Sequence, residues 1–322
     1  MGKIERIGEL ICVKCKEKIN YSDESITCDS CQTTYKVVDG IPILMMLDQG
    51  DYFKQIERDF HTKIATAVDD AHALSSMRVK YLHEKFLSPI RALPTDSLIL
   101  DVACGTGVDL LHLCKEGYTL RGIDISLGMC KVANTKIRQN NYMDKVKIIE
   151  ADAELLPFEP DTFDAAYISG ALHHSRDPNK VLQEMHRVVK GDGLVVIGSE
   201  PNRWPYRFRK LKYSSLGKKI LRFFRDDYTI EGGSLADYET EGFSKKDFIQ
   251  VANDNGFLIL DFQPIWYISG FLSLFKLKLP QRLESATIFV DDVISRIPGI
   301  KDYSWKWNII LRVKKPNFRA GS

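Results

Sequence analysis

The sequence predicts an α/β protein built on a parallel sheet, preceded by a small cysteine-bearing head. Three observations carry that reading. From Ser97 onward, short apolar runs alternate with helical segments. A glycine-rich turn closes the first of those runs, and two Cys-x-x-Cys pairs stand near the N-terminus. With 44% hydrophobic and 27% charged residues, the 322-residue chain has globular composition, which excludes a disordered, collagenous or coiled-coil protein. Lys+Arg 45 against Asp+Glu 43 leaves a net charge of +2, so any polyanion-binding surface must be local. The opening MGKIERIGEL is charged where a signal peptide needs an apolar core, and no stretch reaches the ~18 apolar residues of a membrane span. The expected location is the cytoplasm.

The head, residues 1–48, contains Cys12, Cys15, Cys28 and Cys31. Each pair brings two thiolates to one side of a tight turn, and two facing turns form the tetrahedral sulfur cage that Zn²⁺ prefers. Such a site is closed and therefore structural. The competing readings are a redox pair or two unrelated hairpin pairs. Seven cysteines in all are an odd number for a disulfide framework. Lys14, Lys16 and Lys18 would offset thiolate charge, and so short a head needs the staple.

Residues 49–94 place Phe53, Ile56, Phe60, Ile64, then Met77, Tyr81 and Phe86 at helical spacing, which predicts two bridging helices ended by Pro89 and Pro94. His61, His72 and His83 read here as surface or core residues.

The body, residues 95–322, has strand-like runs at 98–100, 120–123, 146–149, 163–168 and 194–197. Such sheets bind ligands at the carboxyl ends of their strands. The first run ends Asp101-Val-Ala103-Cys-Gly105-Thr106-Gly107 and opens a helix at Val108. A dinucleotide fingerprint needs a third glycine where Leu110 stands, and no Lys-Ser/Thr follows, so both phosphate-cradle readings fail. Asp101, Asp124 and Asp152 end consecutive strands. That row suits a positively charged nucleoside without phosphates; singly, each acid reads equally well as a strand-end cap.

Downstream, Ser169-Gly-Ala-Leu-His173-His174-Ser-Arg-Asp-Pro178 forms a loop at the same sheet edge, where either histidine could take a proton or simply pack. Two insertions follow, at about 201–242 and 265–303. Residues 203–225 of the first hold nine Lys or Arg, six aromatics and no acid, with helical apolar spacing. This reads as a solvated lid face, or as a surface for an anionic membrane, an anionic acceptor or, less favoured, nucleic acid. Phe243–Asn255 reads as a helix, Leu258–Phe262 as a strand, Ile265–Phe275 as an uncharged pocket wall, and Trp307–Val313 as the last strand.

The head resembles the Trm112-like zinc ribbon over about 45 residues, on its two Cys-x-x-Cys turns and the closing run Tyr35-Lys-Val-Val-Asp-Gly-Ile-Pro42. The body resembles a class I S-adenosylmethionine-dependent methyltransferase of the type 11 kind. It does so on Asp101–Gly107, Gly122-Ile-Asp124, Asp152-Ala153-Glu-Leu-Leu-Pro-Phe158, Phe163-Asp-Ala-Ala166 and Val189-Lys-Gly-Asp-Gly-Leu194. The resemblance implies a Rossmann-like seven-stranded sheet. It also implies a cofactor site: the loop from Asp101 and Ala103 to Gly105, Thr106 and Gly107 at the amino-acid part, Asp124 at the ribose, Asp152 and Ala153 at the adenine, and Ile125 on its face. Ala103 departs from the family's usual glycine, which should narrow the loop. The Asp/Asn-Pro-Pro-aromatic loop of the family's amine methylases is missing, which argues against adenine-N6, cytosine-N4 and glutamine acceptors. The expected function is methyl transfer to oxygen or carbon of a small or lipid-like acceptor with an anionic group. The alternatives are an RNA methyltransferase and a zinc-headed adaptor that binds cofactor without turnover.

Overall fold

The computed structural model describes residues 7–22, 25–46, 51–73, 77–206, 234–274 and 280–315. The basic stretch from 207 to 225, Phe275, and the side chains of His72 and Met77 lie outside what is described.

The head opens with a small antiparallel sheet of β1 (Asn20–Tyr21), β2 (Ile26–Thr27) and β3 (Thr34–Tyr35). Then come β4 (Val37–Val38), β5 (Ile41–Leu44) and the bridging helices α1 (Tyr52–Ala73) and α2 (Met77–Arg91). Pro89 does not end α2 as expected; it sits inside the helix, which runs two residues further. The body follows as β6 (Leu98–Val102), α3 (Val108–Lys115), β7 (Thr119–Asp124), α4 (Leu127–Gln139), β8 (Val146–Ala151), β9 (Phe163–Ser169), α5 (Pro178–Val188) and β10 (Val189–Pro201). Last are the short α6 (Arg203–Tyr206) and α7 (Leu235–Glu239), α8 (Lys245–Asp254), β11 (Phe257–Ile265), α9 (Ile268–Leu274), α10 (Gln281–Ile294) and β12 (Lys306–Val313).

Among the described residues the main sheet has nine strands, in the order β11-β12-β10-β9-β6-β7-β8-β5-β4. Seven are those of a Rossmann-like methyltransferase fold, and two more come from the head. Ile43 and Leu44 of β5 pair in parallel with Glu150 and Ala151 of β8, so the head's closing strand extends the sheet edge. Strand order reverses between β9 and β6, which opens a crevice at their carboxyl ends. Runs such as Leu98-Ile-Leu-Asp-Val102 are buried on both faces because helices cover both. Cys12, Cys28 and Tyr35 of the head share one core with Leu156 and Phe158 of the body. Glu9 pairs with Arg121 at 2.8 Å and Lys16 with Glu184 at 3.5 Å. Among the described residues no helix is long and apolar enough to cross a membrane.

Two irregularities shape the site. The Val189–Leu194 run forms a bulge within β10, where the pairing with β9 shifts register. A second shift lies between Ile197 and Glu200, with Ser199 at φ 57°, and Glu200 beyond it is fully buried.

Candidate active site

Between β6 and α3 the chain reverses through Ala103, Gly105 and Gly107 at φ 59°, 53° and 75°. Left-handed backbone is costly for any residue with a Cβ, so glycine suits two of these positions and Ala103 holds strain. A Cβ on Gly107 would come within 2.9 Å of the Ala133 Cβ on α4. Two of the loop's amides are occupied: Gly105 N–H donates to Asp124 Oδ2 at 2.9 Å and Gly107 N–H to the Cys104 carbonyl at 3.0 Å. Asp124 Oδ1 also accepts the Ser126 N–H. Burial pushes the Asp124 carboxyl up, against the pull of those two N–H groups.

Ala103, Gly105, Asp124, Ile125, Asp152, Ala153 and His174 line a single cavity of about 240 Å³. Asp101, Thr106, Gly107 and His173 do not. The expected row of three acids is therefore two. Asp101 pairs in register with Tyr167 across β6 and β9, and its buried carboxyl accepts the Tyr167 hydroxyl at 2.8 Å instead of reaching the crevice. Burial and the neighbouring Asp109 push that carboxyl well up. Thr106 is 1% exposed, with its hydroxyl unpartnered.

The histidine loop is braced from below by Glu200. Its carboxylate accepts the N–H groups of Ala171, Leu172 and His173, and lies 2.9 Å from His173 Nδ1. Burial pushes the His173 imidazole down, with Glu200 opposing. His174 turns into the cavity, and its Nδ1 lies 2.9 Å from Glu57 Oε2 and 3.1 Å from Ser234 Oγ. Glu57 is 2% exposed, accepts the Ala236 N–H and lies 3.5 Å from His61 Nε2. Burial works against its charge, but bonds from His174, His61 and Ala236 hold it well below the usual carboxylate range.

The opposite wall is one face of α1: Lys54, Glu57, His61, Ile64 and Val68, stepping by three and four residues. Thr62 packs on α4, its carbonyl 2.8 Å from where a Cβ on Gly128 would sit and its hydroxyl 2.9 Å from Ser126 Oγ. Lys54 pairs with Asp152 at 2.6 Å and Glu154 at 2.8 Å. The expectation that His61 and His83 are surface or core residues holds for His83, whose Nδ1 lies 2.6 Å from Asp109, and fails for His61, which lines the cavity. Sequence reasoning missed Lys54, Glu57, Glu200 and Ser234 as site residues. The three-four spacing on α1 was the available signal for the first two; Glu200 and Ser234 had none.

This donor set fits S-adenosylmethionine. The strand-tip carboxylates Asp124 and Asp152 and the apolar side chains of Ile123, Ile125 and Met129 line the cavity. The Gly105 and Gly107 amides are already bonded within the protein, and Leu110 is fully buried where a dinucleotide site has its third glycine.

Residues 100–197 match the family model described as a methyltransferase domain. The chain is 31% identical over 141 residues to the ubiquinone/menaquinone biosynthesis C-methyltransferase UbiE of Pectobacterium carotovorum, a match covering 43% of this chain and 56% of that protein. The match thus spans about half that relative's length. A demethylmenaquinone methyltransferase of Bacteroides fragilis is 32% identical over 190 residues, covering 54% of this chain and 75% of that protein. Among solved structures, the cyclase SpnF superposes with a TM-score of 0.55 at 17% identity over 82% of this chain and 97% of that one, which shows the shared fold. With three quarters of the Bacteroides relative matched on a cavity of this chemistry, the chain belongs to the class I S-adenosylmethionine-dependent methyltransferases.

Proposed function

We propose that the chain methylates a carbon, or secondarily an oxygen, of a small lipid-like acceptor carrying an acidic group, with His174 as the proton-taking residue. The observation that carries this reading is the Glu57–His174 pair opening on the same cavity as Asp124 and Asp152. Asp124 is assigned to the ribose and Asp152 with Ala153 to the adenine; Asp152 retains acceptor capacity beside Lys54 because a carboxylate offers about four lone-pair sites. When bound, S-adenosylmethionine supplies an electrophilic sulfonium methyl and leaves as S-adenosylhomocysteine.

With Nδ1–H donated to Glu57, the His174 Nε2 carries the lone pair. It can take a proton from an acceptor hydroxyl, placing negative charge on that oxygen and the carbon conjugated to it. The buried Glu57 carboxylate then stabilises the imidazolium, which returns the proton to solvent. His173, tied to Glu200, is assigned a bracing role in the same loop. Ile64, Val68 and Ile168 supply an apolar wall suited to a hydrocarbon acceptor. The two relatives support the same reading: one is named a ubiquinone/menaquinone biosynthesis C-methyltransferase and the other a demethylmenaquinone methyltransferase.

The cysteine cage is assigned a structural zinc. Cys12 and Cys31 Sγ lie 3.5 Å apart and Cys15 and Cys28 Sγ 3.4 Å, near the roughly 3.8 Å of a tetrahedral four-sulfur site. Lys16 and Gln32, each just after a Cys-x-x-Cys pair, share left-handed φ of 65° and 58°. The Thr33 hydroxyl and N–H hold the Cys31 thiol down to about 6. Elemental analysis should find one zinc per chain.

The test of the reaction is methyl-labelled S-adenosylmethionine incubated with the purified chain and either a lipid extract rich in unmethylated quinol precursors or total RNA. Label in the organic phase supports the reading. Label confined to RNA, or none in either, overturns it.

A further inference from the structure

Helix α10 is inside out. Its acids face the protein: Glu284 and Asp291 are 6% and 4% exposed. Asp291 accepts the N–H groups of Ile268 and Ser269, and Asp292 takes the Tyr81 hydroxyl and Lys85 Nζ. Most of its large apolar side chains face outward, Ile288 and Ile294 being half-buried. Leu283, Phe289, Val290 and Val293 are 55%, 69%, 37% and 46% exposed, and Ile297 and Ile300 beyond the helix are 39% and 47% exposed. Positions 283, 286, 290, 293, 297 and 300 step by three and four, so they form one strip; Ala286 within it is exposed as well. An amphipathic helix in water turns its apolar side to the core, so the reversal calls for something apolar outside.

The rim of the strip says what that is. Arg282, Arg296 and Lys301 are exposed along it. At its far end Trp204 stands edge-on to Tyr303 at 4.9 Å, both about half exposed. Amphipathic aromatics of this kind favour the boundary between water and hydrocarbon. Two copies of this chain meeting face to face here would set basic rim against basic rim.

We propose that the α10 strip is a docking surface for an anionic lipid bilayer, its apolar side chains entering the acyl boundary and its basic rim meeting headgroup phosphates. Apolar insertion and basic charge together give the two signals that stable peripheral attachment needs.

The test is sedimentation of the full chain with phosphatidylcholine vesicles, with and without phosphatidylglycerol, in the absence of cofactor and acceptor. Its failure is therefore distinct from failure of the methyl-transfer reading. The chain should bind the anionic vesicles, more weakly in high salt. The double variant Phe289→Ser, Val293→Ser should lower the partition coefficient at least about tenfold, the order expected for two large apolar side chains. Both positions are exposed, and an unchanged thermal melt would show the variant folded. No binding to anionic vesicles, or equal binding by the variant, overturns the proposal. So does a concentration-dependent dimer that the variant abolishes without vesicle binding, which would assign the strip to a second copy.

Discussion

The two walls of the cavity are built by different means. The strand-tip wall is held by short-range bonds: Asp124 ties to Gly105, nineteen residues away, and to Ser126, two residues away. The opposite wall is assembled from distant chain. Glu57 meets His174 across 117 residues and Ala236 across 179, and Lys54 meets Asp152 across 98. In the first wall, assigned above to the cofactor, backbone conformation does most of the positioning. The second is a surface of side chains carried on a helix. A division of this kind would let one fold keep its donor chemistry while changing what it acts on.

Substitutions on each wall should separate binding from turnover. His174→Ala should lower kcat by about 1,000-fold, within the usual range for a general base, while leaving S-adenosylhomocysteine affinity within about threefold. Glu57→Gln should lower kcat less and displace the ionisation limb of the pH–rate profile, which loss of packing alone would not do. Asp124→Ala should do the reverse and weaken S-adenosylhomocysteine binding by about 100-fold in calorimetry, the order expected for two hydrogen bonds to a charged group. If both variants lowered affinity equally, the walls would not be functionally distinct.

Smaller effects probe the bracing. Buried His173 resists the proton that an unfolded histidine takes up below about pH 6.5. The unfolded chain therefore binds more protons there, so stability is full above that pH and falls as pH drops. One proton sets the slope at no more than about 1.4 kcal/mol per pH unit. Denaturant titrations between neutral and mildly acid pH should show this decline, and His173→Gln should flatten it. Smallest of all, Ala103→Gly should raise stability by about 1 kcal/mol, because the φ of 59° strains alanine and not glycine. A lower melting temperature for that variant would show that the Ala103 methyl contributes packing worth more than the strain.

How much of this could be read in the sequence follows the same division. Asp124, Ile125, Asp152 and Ala153 could be placed because each sits at the end of an apolar run that is itself a strand. The cysteine spacing likewise foretold thiols that converge in space. Asp101 was misplaced because a strand-end position does not reveal its partner; Tyr167 on the neighbouring strand turned it inward. Glu200 was invisible because the bulge that buries it arises from pairing with β12, more than a hundred residues downstream. The edge pairing of β5 with β8 was equally hidden, since nothing local in Ile41–Leu44 names its partner strand.

The crevice between β9 and β6 is expected to accept a sulfonium nucleoside by its carboxylates and not a dinucleotide by a phosphate cradle. Parallel calorimetric titrations of the purified chain with S-adenosylhomocysteine and with a nicotinamide dinucleotide test it most directly. Saturable one-site binding of the first and none of the second is the predicted result. Binding of the dinucleotide with no response to S-adenosylhomocysteine would contradict the account.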